Sequence, residues 1–184
     1  KWANEPDVAY RVYTTEELVD EIRKSGVHNI TLTGGEPLLQ KGIQELLEQL
    51  RKYREIRVEI ETNGSVDITP YSSQDTTDNV TFTLDYKTAV SGMEDKMCLS
   101  NYENMRSVDT VKFVVGSRRD LDKARQIIEQ YELVAKGCGI YLSPCFGKIE
   151  PAEIVDYVVE HKMNGVNVQL QLHKFIWDPD KRGV

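Results

Sequence analysis

Apolar and polar positions along this chain switch repeatedly between the helical period and the two-residue period of a strand. The stretch TTEELVDEIRKSG (14–26) predicts an amphipathic helix with a Thr cap, Glu in its first turn and Gly26 at its end. HNITLTGG (28–35) then reads as a short buried strand, and PLLQKGIQELLEQLRKY (37–53) as one helix. IRVEIETNG (56–64), NVTFTLDYK (79–87) and DTVKFVVGS (109–117) read as strands, followed by the helix LDKARQIIEQYEL (121–133). GIYLSP (139–144), PAEIVDYVVEHKM (151–163) and VNVQLQLH (166–173) complete the series as strand, helix and strand. Strands alternating with helices predict a parallel sheet. Only 65–79, polar and rich in Ser, Thr and Asp, and the segment after Lys87 lack a clear period; the first reads as an irregular helix or surface loop, and the second is only loosely patterned.

The polar residue ending each strand recurs at Thr33, Asn63, Lys87, Gly116, Ser143 and His173, with gaps of 30, 24, 29, 27 and 30 residues. Each gap fits one strand-helix unit. With one or two strands upstream, such a series gives a parallel barrel or part-barrel, and folds of this kind build their site at the C-terminal mouth of the strands. That mouth gathers Thr33, Gly34, Gly35 and Glu36, then Glu61 to Gly64, Asp85 to Lys87, Gly116 and Ser117, Ser143 to Cys145, and Gln171, His173 and Lys174. Gly, Thr, Ser, Asn and Gln dominate there, whereas a solvated rim is usually rich in Lys and Glu. GGEP (34–37) is sufficient as a strand-to-helix turn. It equally suits a site in which two glycines admit a ligand to the backbone and Glu36 takes a charge-assisted hydrogen bond from an ammonium group. Lys87 ends an apolar strand, where an ammonium pointing into the mouth needs a partner.

Composition narrows the classes. At 184 residues the chain is one domain in size, and 23 Lys and Arg against 30 Asp and Glu leave a net charge of −7. That balance argues against a nucleic-acid backbone or an anionic membrane as partner. Cys98, Cys138 and Cys145 are too few and too odd in number for a disulfide framework, which fits a reducing, cytoplasmic location. The chain carries no initiator Met and opens on Lys1-Trp2 in loop-like sequence, so we expect residues upstream.

LTGGEPLLQ, IETNG, LDYK with SGMEDKM, VKFVVGS, YLSP and the tail QLQLHKFIWDPDKRGV occur in this order over nearly the whole chain. Together they resemble the radical S-adenosylmethionine (SAM) enzymes, and most closely the 7-carboxy-7-deazaguanine synthase family of queuosine biosynthesis. GGEP marks the superfamily, whereas SGMED and the tail point to the narrower family. The resemblance implies an α/β fold, a parallel partial TIM barrel of the radical SAM type whose N-terminal strand is missing from 1–184, in a single core domain. It implies SAM, a [4Fe–4S] cluster on cysteines upstream of Lys1, and Mg²⁺. Cys98, Cys138 and Cys145, spaced by 40 and 7 residues, sit on separate elements and are not expected to be the cluster ligands.

Carried over by position, the cofactor-binding residues are Gly34, Gly35, Glu36, Asn63, Asp85, Lys87, Ser143, Pro144, Cys145 and Phe146, and the substrate-binding residues are Thr33, Gln171, His173 and the Val184 carboxylate. Asp85-Tyr86-Lys87 keeps only the lysine of a family segment that often reads Ser-Pro-Lys. Lys174 or Arg182 is placed to offset the charge of a substrate carboxylate. The implied reaction contracts the ring of 6-carboxy-5,6,7,8-tetrahydropterin with loss of ammonia, fed by a flavodoxin-type reductant, in a homodimer that uses neither nucleic acid nor membrane. Two rivals remain open on sequence: a glycyl-radical-enzyme activase of the same superfamily, and a cluster-free nucleotide-binding module on a flavodoxin-like sheet.

Overall fold

A computed structural model describes residues 11–73, 75, 77–88, 92–172 and 176–178. Its elements in chain order are α1 (Thr15–Ser25), β1 (Asn29–Leu32), α2 (Ile43–Leu50), β2 (Arg57–Thr62), β3 (Val80–Tyr86), α3 (Ser100–Glu103), β4 (Thr110–Val115), α4 (Arg118–Gln130), β5 (Gly139–Pro144), α5 (Pro151–Glu160) and β6 (Asn167–Val168). The six strands form one sheet in the order β1-β2-β3-β4-β5-β6, and every neighbouring pair is parallel. Each crossover therefore moves the chain one strand onward in the same direction. With right-handed crossovers this stacks the helices on one face and leaves the other open, as in part of a barrel. A flavodoxin-like sheet reverses its strand order at a switch point. The sequential order here excludes that alternative.

The alternation within each strand sorts residues between the two faces. Val58 and Ile60 of β2, Phe82 and Leu84 of β3, Val111 and Phe113 of β4, and Ile140 and Leu142 of β5 are fully buried. They belong to one core with Leu47 and Leu50 of α2, Leu121 and Ala124 of α4, and Ile154 and Tyr157 of α5. Each such side chain removed from water contributes about 1.5–3 kcal/mol before the entropy of ordering it is counted. The intervening residues, Glu59 and Glu61, Asp85, Lys112 and Tyr141, stay partly exposed or at the surface on the opposite, concave face.

Two elements differ from their sequence pattern. The single helix expected over 37–53 is a 3-10 turn, Pro37–Leu39, followed by α2. The chain leaves the helical path at Gln40, whose ψ of 134° is extended, and re-enters through Gly42 in the left-handed region. The last strand pairs only over Asn167–Val168, although Gln169 N still donates to Leu142 O at 2.9 Å. The aperiodic stretch after Ser65 is held by a buried asparagine: Asn101 accepts from Ile68 N at 3.0 Å and donates to Val66 O at 2.8 Å. Ile68 itself is fully buried. The strand expected before β1 lies outside the described residues.

Candidate functional site

Gly34 and Gly35 leave β1 with φ of 93° and 61°, backbone that favours glycine, and a Cβ built on either would meet no atom within 4 Å. The peptide surface at the end of β1 is therefore open to a ligand. Glu36, next in sequence, is buried and turned into the protein. Its Oε1 accepts from Leu38 N at 3.2 Å and Thr62 Oγ1 at 2.8 Å, and its Oε2 accepts from Asn63 N at 2.8 Å. The carboxylate thus caps the Pro37–Leu39 turn and ties the ends of β1 and β2 together. Of its four acceptor positions, one on Oε2 remains for a ligand ammonium. The Asn63 side chain is used locally, its Oδ1 accepting from Ser65 N at 2.9 Å.

On the concave face a cavity of about 410 Å³ is lined by Glu61, Asp85, Lys112, Val114, Ser143, and Gln169 to Leu172. Charges here are paired: Lys112 Nζ donates to Glu61 Oε1 at 3.3 Å, and Lys87 Nζ to Asp85 Oδ2 at 2.8 Å. Thr33 Oγ1 donates to Glu61 Oε2 at 3.3 Å, which connects this cavity to the end of β1. Ser143 Oγ donates to the Gln169 carbonyl at 2.7 Å, fixing β5 to the segment that follows β6. A second cavity of about 380 Å³ lies between α1, β1 and α2 and also touches Thr33 and Gly34, but Lys41 is its one ionisable lining side chain apart from Tyr13. Of these two cavities, the one on the concave face carries the paired charges.

Most of the sequence-selected residues fall into two joined groups. Gly34, Gly35, Glu36 and Asn63 meet at the ends of β1 and β2. Asp85, Ser143 and Gln171 line the larger cavity, with Lys87 reaching it through Asp85 and Thr33 through Glu61. Pro144, Cys145 and Phe146 continue from β5, where Cys145 N donates to Val115 O at 2.7 Å and Phe146 is exposed. His173, Lys174, Arg182 and Val184 lie outside the described residues. Tyr86, adjacent to two selected residues, faces the opposite way. It packs against Tyr102 and Phe113 and donates to Glu94 Oε1 at 3.0 Å. Burial and that carboxylate push its phenol far above the usual range, so it is a protonated core residue.

Lys112 and Gln169 were not selected from sequence, and Glu61 was gathered at the mouth without a role. For Glu61 and Lys112 a signal lies in the strand pattern, readable once one face of the sheet is known to be open. A parallel strand covered on both faces reads as a nearly continuous apolar run, whereas RVEIET places charges at alternate positions and TVKFVV breaks its apolar run with Lys112. Those charges mark the face that no helix among the described residues covers.

The cysteines do not converge. Cys138 is buried with its thiol donating to Leu133 O at 3.3 Å, and burial pushes that thiol upward. Cys98 contacts Ser100 Oγ at 3.2 Å. Among the described residues no group of three or more His, Cys, Asp and Glu could hold a metal.

Comparison with known proteins places this geometry. Residues 2–78 match the model of the radical SAM superfamily. The whole chain is 49% identical to 7-carboxy-7-deazaguanine synthase of Clostridium acetobutylicum and spans 82% of its length. The chain belongs to the 7-carboxy-7-deazaguanine synthase family. The enzyme of that name from Leptospira interrogans is 32% identical over 93% of this chain and 74% of its own. The crystal structure of QueE from Escherichia coli superposes with a TM-score of 0.60 at 22% identity, covering 86% of this chain and 64% of that one, and so shares the fold. Membership in a radical SAM family implies SAM and a [4Fe–4S] cluster. The open Gly34-Gly35 surface and the remaining acceptor on Glu36 suit the SAM end of that pair. Among the described residues no helix is long and apolar enough to cross a membrane.

Proposed function

We propose that the protein converts 6-carboxy-5,6,7,8-tetrahydropterin to 7-carboxy-7-deazaguanine with loss of ammonia, in the cytoplasm and as a homodimer supplied with electrons by a flavodoxin-type protein. The observation that carries this reading is the junction of an open glycine pair at the end of β1 with a polar cavity on the concave face, joined through Thr33 and Glu61. A cavity of about 410 Å³ suits a bicyclic small molecule, as most small-ligand sites do.

SAM, bound with the reduced cluster, supplies the radical that removes hydrogen from the pterin; the chain supplies binding, orientation and exclusion of water. Gly34 and Gly35 give the methionine end access to backbone, Glu36 accepts its ammonium, and Asn63, Asp85, Lys87 and Ser143 to Phe146 form the remaining cofactor wall. Thr33, Glu61 and Gln171 supply hydrogen bonds to the pterin, whose amino-pyrimidinone edge presents two parallel N–H donors to the Glu61 carboxylate. Leu170, Leu172 and Val114 line the same cavity and keep water from the reacting ring. His173, the Val184 carboxylate and Lys174 or Arg182 are the further residues assigned to hold the substrate and offset its charge, and Mg²⁺ would add positive charge at its carboxylate.

The test is turnover by the full-length protein after anaerobic iron–sulfide reconstitution, with SAM, dithionite and the tetrahydropterin. The expected result is a deazaguanine product and one released ammonium per turnover, both measured by liquid chromatography with mass detection and an ammonium assay. Formation of 5′-deoxyadenosine with no release of ammonium would overturn the reaction assigned here.

A further inference from the structure

Lys112 has no part in the assignment above, yet it lines the cavity. It lies between fully buried Val111 and Phe113 on β4, so its own side chain is directed to the concave face. Across the β3–β4 pairing its register partner is Asp85. The ammonium nevertheless reaches past β3 to Glu61 of β2, at 3.3 Å, because Asp85 is engaged by Lys87 at 2.8 Å. Glu61 is thereby held from both sides, Oε1 by Lys112 and Oε2 by Thr33 Oγ1 at 3.3 Å. Each oxygen keeps one acceptor position, and both belong to a side chain lining the cavity.

We propose that Lys112 is a specificity-determining positioning residue: it fixes the Glu61 carboxylate so that its two remaining acceptor positions read the paired N–H donors of a 2-amino-4-oxopyrimidine edge. This rests on the pterin substrate proposed above. The physical reason is charge balance in a shared cavity. Glu61 and Asp85 are two carboxylates facing one space, with Lys112 and Lys87 as their counter-charges. Removing Lys112 leaves two carboxylates to one ammonium. Glu61 then turns toward Lys87 or outward to water, and either movement takes its oxygens off the ligand edge. The pair is partly exposed, with side-chain exposures of 30% and 40%, so it adds little to stability and the variants should fold.

The test uses the full-length protein with SAM present and two fluorescent probes, 6-carboxypterin and 6-carboxylumazine. In the second an oxygen replaces the 2-amino group, so a carbonyl meets the Glu61 carboxylate. Wild type should prefer 6-carboxypterin by about tenfold or more. Lys112→Met, which keeps the stem and removes the charge, should weaken 6-carboxypterin roughly tenfold and leave 6-carboxylumazine within about twofold, so that the preference collapses. Lys112→Arg should restore most of it, and melting temperatures should stay together. A Lys112→Met protein that discriminates as well as wild type, or one that loses both probes equally, overturns this inference while the substrate assignment stands. A wild type that binds neither probe overturns the assignment and this inference with it.

Discussion

Asp109→Ala should lower the unfolding free energy by about 4 kcal/mol and the melting temperature by about 10 °C. Asp109 is fully buried and accepts four hydrogen bonds: from Arg106 Nε at 2.8 Å, Nη2 at 2.7 Å and backbone N at 3.0 Å, and from Phe82 N at 3.0 Å. Arg106, also buried, donates to the carbonyls of Ser73 at 2.8 Å and Val80 at 2.9 Å and lies 3.8 Å from Asp78. Burial pulls the guanidinium pKa down, but the hydrogen bonds and charges of Asp109, with the charge of Asp78, outweigh it and raise the group above its ordinary value. Alanine would leave that cation and two backbone N–H groups without their acceptor. The double variant Arg106→Met/Asp109→Leu should recover part of the loss, because neither charge is then stranded, while Phe82 N and the backbone N of residue 106 stay unpaired. Urea unfolding followed by circular dichroism checks both. Arg106 bonds to Val80, the first residue of β3, so the network lies at the opposite end of the strands from the mouth. SAM affinity should be unchanged below the melting transition.

Glu36 shows the second large effect, and it combines two roles. Glu36→Ala orphans Thr62 Oγ1, Asn63 N and Leu38 N, each formerly bonded to this carboxylate, and should cost about 3 kcal/mol. The same change should abolish measurable SAM binding. Separating the roles needs a variant that loses one without the other. Thr62→Val removes one bond to Glu36 and the one that Thr62 Oγ1 accepts from Gly64 N at 3.2 Å, and should cost about 2 kcal/mol with SAM affinity within about twofold of wild type. Glu36→Gln retains most of the volume but loses the negative charge, and should weaken SAM by about tenfold or more. Equilibrium dialysis with labelled SAM measures each. Equal SAM affinity in Glu36→Gln and wild type would remove Glu36 from the cofactor site and leave it as a tie between β1 and β2.

What sequence could and could not show follows from the range of the interactions. All six strands were legible because each carries its own apolar run, and their parallel order was legible from the alternation with helices. The part-barrel form follows once successive strands are neighbours, as they are here. The break at Gln40 to Gly42 was not legible, since the apolar spacing of PLLQKGIQELL continues through it. Glu36 shows the limit more sharply. Its place in GGEP suits a turn or a site, and its partners Thr62 and Asn63 lie 26 and 27 residues away and depend on how β1 and β2 align. Lys112 was hidden for a related reason: a charge in mid-strand acquires a meaning only when one face of the sheet is known to be open. The 65–79 segment looked unstructured because its order comes from Asn101, more than thirty residues onward.

The central claim is that the pterin occupies the concave cavity beside the glycine pair, and a crystal structure of the full-length protein with SAM and 6-carboxypterin tests it most directly. The prediction is ring density in the cavity lined by Glu61, Lys112 and Ser143, with the amino-pyrimidinone edge on Glu61 and the methionine end of SAM over Gly34 and Gly35. Density for the pterin between α1, β1 and α2, with the concave cavity holding only water, would contradict it.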